Sequence, residues 1–165
     1  IIYSSNTKSE VIKEALAQFN KTKNTAYLAI CLNFTLGLRI GELVALRECD
    51  IKEDTIHICR AESKNYTKDK NGKIHADGYR VVHHPKTDAG IRTLVLTPDA
   101  KKYIKMALDE NKANGRSDED YIFISNSGER MHEYAVNNVL RRCNGVRNEN
   151  DRFIISNKVR TCRME

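Results

Sequence analysis

The chain has 165 residues and a mass of 18.9 kDa, the size of one domain, and 40% hydrophobic composition over that length is enough to build a core, so disorder is not the default expectation. Lys and Arg number 28 against 22 for Asp and Glu, giving +6 and a pI near 9.1, an excess that favours an anionic partner without naming one. Apolar runs are only a few residues long and no charged-then-apolar leader opens the chain, which argues against membrane spanning and secretion.

In chain order, Thr7-x-x-Glu10 has the pattern of a capping box, and Val11, Ile12, Ala15, Leu16 and Phe19 recur at helical spacing behind it. A polar break over 20–24 leads to a second, mostly apolar helix through Tyr27, Leu28, Cys31, Leu32 and Phe34. Gly37 is placed to stop it, and a short third helix is expected from Gly41 to about Arg47. After Asp50 the period changes to alternation at Ile56 and Ile58, as in a half-buried strand. The polar stretch 61–80 predicts an extended hairpin, with Asn71-Gly72 and Asp77-Gly78 as tight-turn dipeptides. Strands are expected around 80–83 and 91–96, joined by a turn over 85–90. Thr97-Pro98-Asp99 announces a helix with Tyr103, Ile104, Ala107 and Leu108 on its apolar face, ended by Asn114-Gly115. A short strand at 121–124, a turn at 125–128 and a helix through Val136, Val139 and Leu140 follow. A polar loop over 144–151 and Phe153-Ile154-Ile155 then lead to Ser156, a cap for a helix that has barely begun when the chain stops. The expected fold is α+β, mainly α, with a small antiparallel three-stranded sheet among the helices. No repeat, low-complexity tract or linker divides the 165 residues, so one domain, 1–165, is expected.

Five cysteines, at 31, 49, 59, 143 and 162, are odd in number and scattered, which suggests neither a disulfide framework nor a zinc knuckle. A reduced, cytoplasmic protein is the simplest expectation, with Cys31 and others serving as small core hydrophobes. His83 and His84 are adjacent on an expected strand and point to opposite faces, which weighs against a metal site. The Gly37 to Gly41 segment lacks the Gly-Lys-Ser/Thr of a nucleotide loop.

Three features pair cations with structure that would hold them still. Arg39 sits in the tight connection between two buried helices, with Glu42 three residues on at the spacing to orient it. Lys86, beside Thr87 at a strand turn, precedes Arg92 on the returning strand, an arrangement suited to reaching a phosphate. Asn157 and Arg160 share one face of the last, incipient helix, with Lys158 between them.

Together these features resemble the tyrosine recombinases, the phage-integrase family. Thr35-Leu-Gly-Leu-Arg-Ile-Gly-Glu-Leu43 is similar to the first arginine box, 85–96 to the lysine-bearing β-turn and its strand, and Asn157-Lys-Val-Arg-Thr161 falls where the family has its His-x-x-Arg box. The resemblance implies strand cleavage and rejoining of duplex DNA through a 3′-phosphotyrosyl intermediate, with no metal or nucleotide cofactor. By the same resemblance Arg39 and Arg160 stabilise the phosphorane, Lys86 protonates the 5′-oxygen, and Glu42 and Asn157 support them. Arg92, Thr87 and Lys158 contact DNA. The implied partner is a double-stranded attachment site, with the parent protein a tetramer on DNA and this chain a monomer.

Two departures matter. Asn157 stands where the family has histidine and cannot exchange a proton near neutral pH. All seven tyrosines precede Arg160, so no nucleophile is assigned in this chain. The expectation is a catalytic-domain fragment, without the core-binding domain and the nucleophile segment, inactive by itself. A non-catalytic DNA-binding relative is the alternative, and a basic protein-interaction domain the blandest one.

Overall fold

The computed structural model describes residues 5–83 and 90–143. Its centre is the helix α2 (Ala26–Leu36), whose residues are all buried except Thr35. A helix apolar on its whole circumference has to be surrounded, and α1 (Ser5–Thr22), α4 (Pro98–Ala113) and α5 (Glu133–Cys143) pack around it. The α1 face is Val11, Ala15 and Phe19, at the spacing read from the sequence. The helix starts at Ser5, so Thr7 lies within it rather than at its N-cap. Thr97 does cap α4, its hydroxyl accepting from the Ala100 amide at 3.2 Å, with Pro98 in the first turn. Burial in the core pushes the Cys31 thiol up to about 12 and that of Cys143 up to about 11, as expected of small core hydrophobes.

The strands fall into two sheets. β1 (Ile51–Lys52), β2 (Thr55–Ile58) and β5 (Arg92–Val95) form a three-stranded antiparallel sheet in the order β1-β2-β5, with β1, which is not among the expected strands, as its third strand. Residues 80–83, expected to join 91–96 in one hairpin, instead end β4 (Ile74–His83), which pairs with β3 (Arg60–Lys68) in a separate two-stranded sheet. The tip of this hairpin fixes the pairing. The Asp69 carboxylate accepts from the amides of Asn71 and Lys73, both at 2.9 Å, and pairs with His75 at 3.0 Å, while Gly72 takes the positive φ of +79° that the turn requires. Asp77-Gly78 is not a turn. It lies inside β4, where Gly78 has φ +76° and the register slips between Lys64 and Tyr66, so the dipeptide makes a bulge.

Residues 121–124 are buried but form isolated bridges to Arg47 and Arg130 rather than the expected strand. Their backbone is satisfied one group at a time: the Thr25 hydroxyl donates to the Ile124 carbonyl at 2.8 Å, the Asn111 amide to Ile122 at 2.9 Å, and the Ile122 amide to Leu46 at 3.0 Å. Among the described residues no helix is long and apolar enough to cross a membrane.

Candidate phosphate-binding site

The connection from α2 to α3 (Ile40–Val44) is held at each step. Gly37 caps α2 in the left-handed region at φ 63° and ψ 40°, and its amide donates to the Asn33 carbonyl at 2.8 Å. The buried Asn33 side chain then accepts from the Leu38 amide at 2.7 Å, and Leu36 and Leu38 sink into the core on either side. Arg39 follows in extended conformation (φ −66°, ψ 145°) as the residue before α3. Its backbone is therefore fixed while its side chain remains 47% exposed.

Glu42, on the first turn of α3, is the hub of the site. Its side chain is 1% exposed and accepts the Arg39 backbone amide at 2.9 Å and the Arg39 guanidinium at 3.4 Å. The same carboxylate takes both ends of the Arg92 fork, at 3.1 Å and 2.8 Å. Arg92, 26% exposed, opens β5 and also donates to the Gly90 carbonyl at 3.1 Å. Burial alone would raise the Glu42 carboxyl, but the bond from Arg92, the Arg39 amide and both guanidinium charges outweigh it and hold the group below its ordinary value. Glu42 is thus ionised, with two arginines against one buried charge. The node carries a net positive charge at its surface, and Arg39, the more exposed and more weakly bonded of the two, has donors to offer an added anion.

Of the residues singled out by sequence, Arg39, Glu42 and Arg92 come together here. Lys86, Thr87, Asn157, Lys158 and Arg160 lie outside the described residues. The bidentate Arg92–Glu42 bond had no local signal, since fifty positions separate the two residues. The sequence likewise gave no sign of a second buried carboxylate, Glu62 on β3, with a side chain 0% exposed. It pairs with Arg130, takes a hydrogen bond from His132 Nδ1 at 2.7 Å, and accepts the Glu133 amide at 2.8 Å.

The described residues thus form a largely helical fold that carries an arginine pair on one buried glutamate, with Arg39 reaching solvent. The sequence pattern described as the phage integrase family matches residues 5–162, and the chain belongs to that family. No curated protein matches it. Among solved structures it is similar to the XerA recombinase (TM-score 0.67, 16% identity, 99% of this chain and 48% of that one). It is also similar to the Tn1549 transposon integrase in complex with transposon right end DNA (TM-score 0.71, 18% identity, 99% and 51%). A third likeness is to a lambda integrase tetramer bound to a Holliday junction (TM-score 0.57, 14% identity, 98% and 39%). At these identities the likeness establishes the fold, and the chain spans about half of the first two relatives' length.

Proposed function

We propose that this chain supplies the phosphate-stabilising part of a site-specific DNA recombinase that integrates or exchanges DNA by cleaving and rejoining strands through a phosphotyrosyl intermediate. The observation that carries this is Arg39, half exposed yet fixed by a buried glutamate that it shares with Arg92. Attack on a phosphodiester builds negative charge on the non-bridging oxygens, and with no metal invoked that charge must be met by preorganised donors. A planar guanidinium that stays protonated and donates in pairs suits this. Arg39 and Arg160 take that role, with Glu42 and Asn157 supporting them. Lys86 delivers a proton to the leaving 5′-oxygen.

Lys86 is included on the likeness of residues 85–96 to the lysine-bearing turn and its strand. The ligand proposed is duplex DNA, with Arg92, Thr87 and Lys158 as further contacts. The parent protein would assemble as a tetramer on its attachment sites. None of the seven tyrosines present is assigned as the nucleophile, and this chain alone is expected to bind DNA as a monomer without cleaving it.

Incubating the chain with a nicked duplex that traps cleavage, followed by denaturing electrophoresis, tests the assignment of the nucleophile. No protein–DNA adduct is expected; an adduct would put the nucleophile among the seven tyrosines present. Anisotropy titration of a fluorescent duplex tests the assignment of the cations. Arg39→Ala, Lys86→Ala and Arg160→Ala are each expected to weaken binding by about tenfold at low salt, and full retention of affinity by all three would overturn the proposed site.

A further inference from the structure

The two buried glutamates meet through one glycine. Gly41 lies between Arg39 and Glu42 on α3, and a Cβ placed on it would lie 2.7 Å from the Glu62 carbonyl oxygen and 3.4 Å from the Glu62 amide nitrogen. The β3 backbone at Glu62 is thus pressed against the turn that carries Arg39, closer than any side chain at 41 would allow.

That backbone is itself immobilised through its side chain. One Glu62 oxygen serves Arg130 and His132 and the other serves the Glu133 amide, all three partners coming from the segment that leads into α5. The hairpin is fastened to the same segment a second time. The Tyr79 ring of β4 lies 4.9 Å from the His132 ring and 5.9 Å from that of Tyr134, and Lys64 of β3 pairs with Glu133 at 3.3 Å. The base of the hairpin is therefore clamped between the start of α5 and Gly41, in the turn that carries Arg39.

Resting on the assignment of Arg39 to a DNA phosphate above, we infer that Glu62 is a positioning residue for Arg39, acting through its backbone contact with Gly41. Glutamine at 62 presents an acceptor on one side only, so either the Arg130 and His132 side or the Glu133 amide faces an NH₂ group. The clamp then loosens and the Glu62 backbone moves off Gly41. Alanine at 41 has the same effect from the other side, forcing the same two backbones apart.

The test is a double-mutant cycle on affinity of the chain for a short fluorescent duplex, using Glu62→Gln and Gly41→Ala, each alone and combined with Arg39→Ala. Thermal melts are run alongside so that binding is read well below every midpoint. His132→Gln, which removes one bond of the clamp, serves as the milder variant if Glu62→Gln does not fold. Arg39→Ala alone is expected to cost about tenfold and each clamp variant about threefold, whereas in the Arg39→Ala background the clamp variants cost nothing further. A clamp effect of equal size in both backgrounds, or none in either, would overturn the positioning role and leave the phosphate assignment standing. No effect of Arg39→Ala itself would instead remove the phosphate assignment on which the positioning role rests.

Discussion

Glu42 and Glu62 are the same kind of group put to different uses. Both carboxylates are buried to within 1% of full enclosure, both accept a backbone amide at a helix start, and each serves two cationic or protonatable side chains. They differ in what they enclose. The Glu62 partner Arg130 is 11% exposed, so that pair closes on itself, whereas the Glu42 partner Arg39 is 47% exposed. A buried charge whose arginine partner is itself largely covered works as a joint between elements. One whose partner reaches solvent fixes the base of a cation and leaves its tip available, which is the geometry a phosphate ligand requires.

The strongest way to break this comparison is to remove the hub charge. Glu42→Gln leaves Arg39 and Arg92 crowded without an anion, and since both can turn toward water the expected loss is about 2–4 kcal/mol of stability, read by denaturant unfolding. A loss no greater than that of an exposed pair would mean that Glu42 is not the hub. The pH dependence follows with a definite sign. The folded Glu42 carboxyl lies below its ordinary value, so the unfolded chain takes up the proton first as pH falls. The stabilisation from this node is complete above about pH 4.3 and is lost as pH drops through the folded value. The melting-temperature advantage of wild type over Glu42→Gln is therefore expected to narrow as the pH falls below about 4.3; a gap that stays constant as the pH is lowered would contradict the assignment.

Arg39→Ala sharpens the contrast from the other side. Its single weak side-chain bond to Glu42 at 3.4 Å and its exposure predict a stability change within about 1 kcal/mol, with the cost appearing in DNA affinity instead. Smallest of all, Lys105→Ala removes an exposed helix pair with Asp109 at 2.5 Å and is expected to change stability by no more than about 0.5 kcal/mol.

How much was legible in the sequence tracks how local the determinant is. The α2 helix, its Gly37 stop and the Thr97-Pro98 start of α4 were legible because a run of eleven residues or a cap dipeptide carries the whole signal. The Arg39–Glu42 pair was legible for the same reason, being three positions apart. The sheet was only half legible. Alternation marked β2, but which strand residues 80–83 would join depended on the Asp69 turn and on the Gly78 bulge, and a Gly-containing dipeptide serves equally as turn or bulge until pairing is known. Residues 121–124 read as a strand because they are apolar and short, yet their hydrogen bonds go to Thr25, Asn111 and Leu46 from elsewhere in the chain. Arg92 on Glu42 and the whole Glu62 clamp are products of tertiary folding across fifty to seventy positions, where no pattern in the sequence points.

The central claim, that a solvent-reaching arginine anchored on a buried glutamate meets a DNA phosphate, is tested most directly by the salt dependence of duplex binding. Plotting log affinity against log salt for wild type, Arg39→Ala and Lys105→Ala compares two proteins that have each lost one positive charge. The slope is expected to become shallower by about 0.9 for Arg39→Ala, one phosphate contact, and to stay at the wild-type value for Lys105→Ala. Parallel lines for wild type and Arg39→Ala would contradict the account.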